Sequence, residues 1–547
     1  MSEETQARPQ MLHLARATLE ALSPISLGSG EPSSLSDALM FRDANDLPAI
    51  PGASLQGGLR HLWGAAHDQN DPRERTLFGA EDRNGQGKAG RLIFGFGAVH
   101  GADDAAVAGL LPWSRAHRVA GSEPDPVLNF LACYTPVLRH HVKLNDSHVA
   151  DDRAKFDRSA APVGTRFSFE IAMWGEAGKA AEDKAQLIEV LKLLRHPAFR
   201  LGGAGRRGYG RARLIRASYD CRDPRDTEAL RAIRGQPPSA ALGETLDLSP
   251  DVAFRTALAE LRLHPLGPWR IGTTFHDDPE ALTTGMIGIK YADPQRDPYR
   301  VGTGQRVADT LEKAPDILIL GEPRILWRGP DDSERAVIEG SHRGAEPLRF
   351  VVPGSALRGP LAHRMLFHWY KAHEHFIDAE AWIAADEAGR TALEADWKAT
   401  REERPKHWSD LLGLAKERGG NGTGQASRLF VNDGIATDVP AVQVLTHNVI
   451  DRFSGGVVNE KLYSEEVALG GEIAIEIAIL PPPGGGMWDE RIVDAFLATL
   501  RDLVEGRLAI GAKSLGFCTG SVSWSGDAGQ WSARWANPRP TAARAAS

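Results

Sequence analysis

The chain has 547 residues, 42% of them hydrophobic and 25% charged, which is the composition of a globular protein with room for two to four domains of roughly 100 to 200 residues. The polar start and the absence of an apolar run near the roughly 20 residues of a membrane helix exclude membrane and signal-peptide classes, and the three scattered cysteines exclude a disulfide framework or a cysteine zinc site. We therefore expect a cytoplasmic protein that contacts no membrane. The net charge of -8 argues against nucleic-acid binding by bulk charge alone.

The elements follow one another in an order typical of a βαββαβ unit. LHLARATLEALSPISLGSG alternates apolar and polar positions and ends in glycines, which predicts a strand and a turn. PGASLQGGLRHLW places Leu55, Leu59 and Leu62 on one helical face, with Pro51 and Gly52 as start signals. RLIFGFGAV and TRFSFEIAMW predict strands, EDKAQLIEVLKLLRH an amphipathic helix and RARLIRASY a last strand. This order favours a ferredoxin-like, RNA-recognition-like unit of the α+β class.

The same features recur about 300 residues later. PAIPGASLQGGLRHLW resembles RFVVPGSALRGPLAHRML at an offset of 302 residues, and RHHVKLNDSHVADDRAKFDRSAAPVGTRFSFEI aligns without a gap to the segment 307 residues further on. GGAGRRGYG matches IGAKSLGFC at an offset of 308. Three blocks in one order at nearly one offset indicate a duplication.

The repeat and the composition shifts predict two tandem modules with inserted hairpins and loops. A segment rich in Pro, Asp and Arg separates them, and two stretches of the second module, 276–314 and 370–426, have the character of insertions. The predicted organisation is a disordered start (1–10), a first module (11–218), a linker (219–252), a second module (253–535) and a disordered tail (536–547).

The ordered set of motifs resembles the RAMP superfamily, and more closely the backbone subunits of type III CRISPR effector complexes. LSDALMFRDANDLPAIPGASLQGGLR, GRLIFGFG and GGAGRRGYGRARL carry the resemblance in the first module, and DILILGE, VVPGSALRG, SRLFVNDG and IGAKSLGFC carry it in the second. The resemblance implies two fused backbone copies that bind a CRISPR guide RNA, its complementary target RNA and other effector subunits, each with a hairpin thumb that passes through the guide-target duplex.

The resemblance also implies target cleavage by a loop aspartate upstream of the PGASLQG-like segment. That residue corresponds to Asp37. SDALMFRD (Ser36 to Asp43) precedes the first PGASLQG-like segment as PDILILGE (Pro315 to Glu322) precedes the second, and this correspondence gives Asp316 as the counterpart. The interval from Asp316 to Pro353 is 37 residues, against 14 from Asp37 to Pro51, so the second copy departs from the pattern. Mg²⁺ or another divalent cation is the expected cofactor, with ligands that the sequence does not identify. A turn aspartate that caps the following strand is the alternative for Asp37.

The glycine turn of each module is a candidate phosphate contact. The Arg-rich segment from Arg195 to Arg216 has seven arginines and no acidic residue. Glycine turns let backbone N–H groups approach phosphate, arginines pair with it, and a tyrosine can stack or pack. The candidate RNA-binding residues here are Gly203, Gly205, Arg206, Arg207 and Tyr209, with Gly511 and Lys513 in the second copy. The alternative is that these glycines only make a tight turn.

Other candidates flank the two helices and the thumb-like segments. Ser54 and Ser355 stand at helix starts, which favour anions, and Arg60 and Arg358 follow them. His140, His141 and His447 flank the thumb-like segments and could contact RNA, although such histidines are more often structural.

Three functions remain open on the sequence. The first is a guide-binding subunit that cleaves target RNA with its loop aspartates. The second is a non-catalytic RNA scaffold of the same kind of complex, and the third is a nuclease that trims precursor guide RNA.

Overall fold

A computed structural model gives the architecture. It describes residues 10–30, 36–67, 71–81, 87–117, 119, 121–144, 150–248, 254–271, 319, 321–329, 335–339, 349–372, 377, 379–401, 408–414, 424–511 and 516–538. The insertion predicted at 276–314 and the terminal stretches 1–9 and 539–547 lie outside these residues. No helix among the described residues is long and apolar enough to cross a membrane.

The chain divides into two compact units that do not follow the chain order strictly. Unit 1 comprises Met1–Phe254, Thr273–Phe350 and Thr446–Glu465. Unit 2 comprises Arg255–Gly272, Val351–Leu445 and Glu466–Ser547. Two segments of the second repeat therefore belong to the first unit.

The first repeat contains ten strands and six α-helices within its described residues. The strands are β1 (Gln10–Ala21), β2 (Ala80–Glu81), β3 (Gly87–Lys88), β4 (Leu92–Phe94), β5 (Ala98–Val99), β6 (Val137–Leu144), β7 (Ala150–Ala160), β8 (Arg166–Glu176), β9 (Ala212–Arg222) and β10 (Glu244–Thr245). The helices are α1 (Gly52–Ala66), α2 (Pro72–Phe78), α3 (Trp113–Ala116), α4 (Pro126–Leu131), α5 (Ala180–Lys192) and α6 (Thr227–Arg234).

The sheet of unit 1 has the strand order of a ferredoxin-like fold. Its order is β10-β9-β1-β8-β4, with β5 also on β8, and every pairing is antiparallel. Counting only the strands of the βαββαβ pattern, β1, β4, β8 and β9, the spatial order is 4-1-3-2. The predicted α+β class is confirmed.

Helices α1 and α5 supply the apolar side chains that cover this sheet. Leu55, Leu59 and Leu62 of α1 are at most 1% exposed, as the i, i+4, i+7 spacing predicts. Helix α5 contacts β1 and β8 and buries Leu187 and Val190 completely. Each fully buried leucine contributes about 1.5 to 3 kcal/mol to folding.

The second repeat contains twelve strands and six α-helices within its described residues. The strands are β11 (Ala257–Pro265), β12 (Gly321–Glu322), β13 (Arg324–Trp327), β14 (Ala336–Glu339), β15 (Arg349–Val352), β16 (Leu429–Val431), β17 (Gly434–Thr437), β18 (Ala441–Ile450), β19 (Val457–Leu469), β20 (Glu472–Ile479), β21 (Glu505–Ala509) and β22 (Phe517–Gly526). The helices are α7 (Gly354–Ala372), α8 (Ala379–Ala384), α9 (Glu387–Arg401), α10 (Trp408–Leu412), α11 (Glu490–Val504) and α12 (Gly529–Ala536).

Unit 2 repeats the topology of unit 1. Its sheet runs β15-β17-β20-β11-β22-β21, with β16 on β20, and α7 and α11 pack against each other. The described part of the predicted insertion at 370–426 forms α8, α9 and α10. In each repeat a long hairpin, β6–β7 or β18–β19, precedes the third strand of the βαββαβ pattern, which is where the thumb-like segments were predicted.

The stretch predicted as a linker, 219–252, has more structure than its composition indicates. Strand β9 continues to Arg222, helix α6 follows, and β10 pairs with β9 at the sheet edge. Asp226 caps the N-terminus of α6, because its side chain accepts a hydrogen bond from the Ala229 N–H. Strand β10 has only two residues, which is too few for an alternating pattern to predict it from the sequence.

Candidate nucleic-acid interface and cleavage site

Asp37 lies between β1 and α1, in a segment that runs along strand β7. The Asp37 N–H donates to Asp157 Oδ1 at 2.8 Å, and Asp37 Oδ2 accepts from the Asp157 N–H at 2.9 Å. Further along β7, the Ser159 N–H donates to the Ala38 carbonyl at 3.0 Å. Asp37 is exposed, and its Oδ1 has no hydrogen-bond donor among the described residues. The carboxylate is therefore held at one oxygen and accessible at the other.

His140 stands beside this aspartate pair. It is directly opposite Asp157 in the β6–β7 ladder, so the two side chains project from the same face of the hairpin. Its Nδ1 is buried and has no hydrogen-bond partner within the described structure. Burial lowers the pKa of His140, with a further lowering from Lys155, while the Asp157 carboxylate raises it to a smaller extent than burial lowers it. The imidazole is consequently neutral at pH 7 and can accept a proton.

His141 points the other way and belongs to the interior of unit 1. Its Nε2 lies 2.9 Å from the Tyr209 hydroxyl, and its ring stacks on Phe156 with the centroids 5.0 Å apart. Burial, and then the positive charges of Arg139 and Arg207, lower the pKa of His141 to about 4. Tyr209 is 0% exposed, so its ring packs in the interior rather than facing solvent.

The glycine turn lies next to strand β7. The Gly203 N–H donates to the Ser26 carbonyl at 2.8 Å, so this amide is already satisfied within the fold. A Cβ on Gly203 would come within 2.9 Å of Arg158 Nη1, and one on Gly205 would come within 2.8 Å of Arg200 Cβ. Arginine side chains therefore pack against the backbone at these two positions, where a Cβ would collide with them. This packing agrees with the alternative that the glycines make a tight turn.

The arginines of the turn have different environments. Arg207 is exposed, whereas Arg206 is partly buried and its Nη2 lies 3.4 Å from His61 Nε2. Arg158 follows Asp157 directly in β7 and approaches the turn at Gly203. Successive side chains of a strand project from opposite faces, so Arg158, which approaches the turn, lies on the other face of the hairpin from Asp157 and His140.

The candidates on α1 are engaged within unit 1. The Ser54 N–H donates to the Pro51 carbonyl at 2.9 Å, and the N-terminus of α1 has no side-chain cap. Arg60 Nε donates to Glu74 Oε1 at 2.8 Å. Each group would have to exchange these internal contacts to bind phosphate.

The counterparts in the second repeat also have internal partners. Arg358 donates to the Leu429 carbonyl at 3.0 Å and to the Leu412 carbonyl at 2.5 Å, and Ser355 is half-buried at the start of α7. Gly511 has a φ of 98°, and a Cβ there would lie 2.4 Å from the Arg270 carbonyl oxygen. Asp316 and Lys513 lie outside the described residues.

His447 occupies the position of His140 in the repeat, with different neighbours. Its Nε2 lies 2.8 Å from Glu465 Oε1, and its ring stacks on Tyr463 with the centroids 5.1 Å apart. At the offset of 307 residues, the counterpart of Asp157 is Ser464. The two hairpins therefore share a histidine but not the aspartate beside it.

Sequence analysis did not identify Asp157, although it faces Asp37. The register of a hairpin depends on the length and geometry of its turn, which the sequence pattern of the two strands does not give. Alternation alone cannot show that position 140 faces position 157.

The donor set at Asp37 limits how a divalent cation could bind. Among the described residues, no group of three or more His, Cys, Asp and Glu side chains is placed to hold a metal ion. Mg²⁺ commonly takes one or two carboxylates and completes its shell with water and substrate phosphate. Asp37, with one oxygen lacking a donor, and Asp157 fit a cation shared with RNA, and they do not fit an all-protein cage.

Comparison with known families identifies the fold. A model of the RAMP superfamily matches residues 18–213 and 262–518, more than half of the chain. The chain belongs to the RAMP superfamily, with one copy of the domain in each matched region, which confirms the predicted resemblance. A search of curated proteins found no match. Membership supports a CRISPR-associated RNA-binding role.

Proposed function

We infer that this chain is a guide-binding backbone subunit of a cytoplasmic type III CRISPR effector complex, and that it cleaves complementary target RNA with Asp37. The observation that carries the inference is the placement of Asp37. An exposed carboxylate is hydrogen-bonded to strand β7, at the position of the hairpin that faces a neutral His140. A carboxylate or an imidazole can orient or accept the proton of the attacking hydroxyl in RNA cleavage.

The chemistry needs no covalent intermediate with the protein. The 2′-hydroxyl of the target gives its proton to the Asp37 carboxylate as its oxygen attacks the adjacent phosphorus, and the bond from phosphorus to the 5′-oxygen breaks. The leaving 5′-oxygen takes a proton from water, so the products carry a 2′,3′-cyclic phosphate and a 5′-hydroxyl. Asp37 orients the attacking hydroxyl through its accessible oxygen. A bound divalent cation would neutralise charge on the phosphate.

A second cut at Asp316 follows from the repeat rather than from geometry. Asp316 lies outside the described residues, and its spacing to the following helix is longer than that of Asp37. The proposal for this residue therefore depends on the internal alignment alone.

The test uses the assembled complex purified with its bound RNA. Complementary RNA is incubated with Mg²⁺ and wild type, Asp37→Ala, Asp316→Ala or the double variant, and the cuts are mapped. We expect Asp37→Ala to remove one discrete cut and leave guide binding intact. Asp223→Ala is the matched control, since Asp223 is on the same unit and pairs with the exposed Arg225. Unchanged cuts in all variants would contradict the nuclease function.

A non-catalytic scaffold is the second candidate, and one observation favours it. Both the amide and the carboxylate of Asp37 tie its segment to β7, which is what a purely structural turn aspartate does. The scaffold predicts bound guide RNA with every cut retained in Asp37→Ala. The same experiment therefore separates the two functions.

A further inference from the structure

The contact between Asp37 and Asp157 is reciprocal. Each residue donates its backbone N–H to the carboxylate of the other, at 2.8 and 2.9 Å. The Ser159 N–H to Ala38 carbonyl bond extends the contact along β7. Asp37 is thus attached to the β6–β7 hairpin at three consecutive points, although it is 120 residues away in sequence.

The contact between Asp37 and Asp157 joins two carboxylates through backbone N–H groups. Within the described residues, neither carboxylate has a lysine or arginine ion-pair partner. Each carboxylate accepts a hydrogen bond from the backbone of the other residue, so the contact fixes their positions without neutralising either charge. The arrangement leaves one oxygen of Asp37 accessible while the other is held in place.

We propose that Asp157 is the positioning residue for Asp37, a role that rests on the proposed cleavage function. Its carboxylate fixes the Asp37 amide, and its amide fixes Asp37 Oδ2, so the accessible oxygen has one direction relative to the hairpin. The hairpin then carries the cleavage group with it, and any RNA bound along the hairpin meets Asp37 in a constant geometry.

The role belongs to the first repeat. Ser464 occupies the position of Asp157 in the second hairpin. A serine side chain is shorter than that of aspartate and carries no charge. A cut in the second repeat would therefore have to position its aspartate by other means.

Two conservative variants separate positioning from charge. Asp157→Asn keeps an acceptor oxygen at the same distance from the backbone and removes the charge. Asp157→Glu keeps the charge and moves the acceptor by one methylene. Positioning predicts that Asp157→Asn cuts within about threefold of wild type, and that Asp157→Glu and Asp157→Ala cut about 10- to 100-fold more slowly.

The measurement is the single-turnover cleavage rate of the assembled complex, with target affinity and guide content measured on the same samples. Affinity and guide content should stay unchanged, since a positioning residue acts on the rate of the chemical step. Hydrogen exchange of residues 36–41 should rise in Asp157→Glu and remain near wild type in Asp157→Asn. This readout does not depend on Asp157→Ala being folded.

Each outcome decides the proposal. A slower rate in Asp157→Asn than in Asp157→Glu would overturn positioning and make the charge of Asp157 the required property. Wild-type rates in all three variants would overturn it as well. If Asp37→Ala removes its cut while the Asp157 variants do not slow it, only the positioning role fails, whereas an unaffected cut in Asp37→Ala refutes the cleavage function and the positioning role together.

Discussion

The buried ion pair between Arg139 and Glu322 offers a stringent test of the packing in unit 1. Arg139 Nε donates to Glu322 Oε1 at 2.5 Å and Nη2 to Oε2 at 2.7 Å, and the side chains are 2% and 6% exposed. Glu322 comes from the second repeat, but its segment belongs to unit 1. Glu322→Ala would leave the guanidinium without its carboxylate, beside the Tyr209 ring 4.9 Å away.

We expect a large loss of unfolding free energy, because the buried Arg139 guanidinium would lose the Glu322 carboxylate. Breaking a buried pair at one side costs about 3 to 5 kcal/mol, which lowers the melting temperature by roughly 6 to 20 °C. The double variant Arg139→Met with Glu322→Leu should be less destabilised than Glu322→Ala alone, since neither charge remains. Glu228→Ala, an exposed carboxylate in unit 1, should change stability by less than about 1 kcal/mol.

Differential scanning calorimetry of the four proteins measures these shifts. The transition of unit 1 should move in Glu322→Ala and stay in place in Glu228→Ala. A Glu322→Ala protein within about 1 kcal/mol of wild type would refute the burial of this pair. If the double variant is less stable than Glu322→Ala, the electrostatic explanation is refuted and the packing of the side chains is the cause.

Two further predictions concern protons and phosphate. Because the folded state holds the pKa of His141 at about 4, below the unfolded value of 6.5, the unfolded chain binds more protons between these values. The free energy of unfolding should therefore fall as the pH drops from about 6.5 towards 4. His141→Gln should reduce that fall, as measured by urea unfolding at pH 6.5 and at pH 4. The same pH dependence in wild type and variant would contradict a His141 that is neutral in the folded state. Arg206→Ala and Arg207→Ala should each weaken guide binding and reduce the slope of log K against log salt by about 0.7, as measured by filter binding. Arg225→Ala is the control, because Arg225 is an exposed arginine that pairs with Asp223. An unchanged slope in both turn variants would show that the turn does not contact RNA.

The sequence predicted the repeated topology because that topology depends on local patterns. Leu55, Leu59 and Leu62 mark α1, and alternation marks β1 and β8, so the βαββαβ order could be read before any contact was known. Gly164 and Gly471, which the alignment pairs, have φ values of 84° and 89°. Conformations restricted to glycine explain why both repeats keep it there.

Long-range contacts could not be predicted in the same way. The pairing of Arg139 with Glu322 spans 183 residues, and that of Asp37 with Asp157 spans 120. Neither leaves a periodic signal, because each depends on how separate elements meet rather than on spacing within one element. The grouping of β12, β13 and β14 with unit 1 has the same origin.

The most direct test of the account is target cleavage by the purified complex carrying Asp37→Ala. The complex should retain its guide RNA and lose one discrete cut in complementary RNA, while Asp223→Ala keeps every cut. Retention of all cuts in Asp37→Ala, with guide RNA bound, would contradict the cleavage function and leave an RNA-binding scaffold.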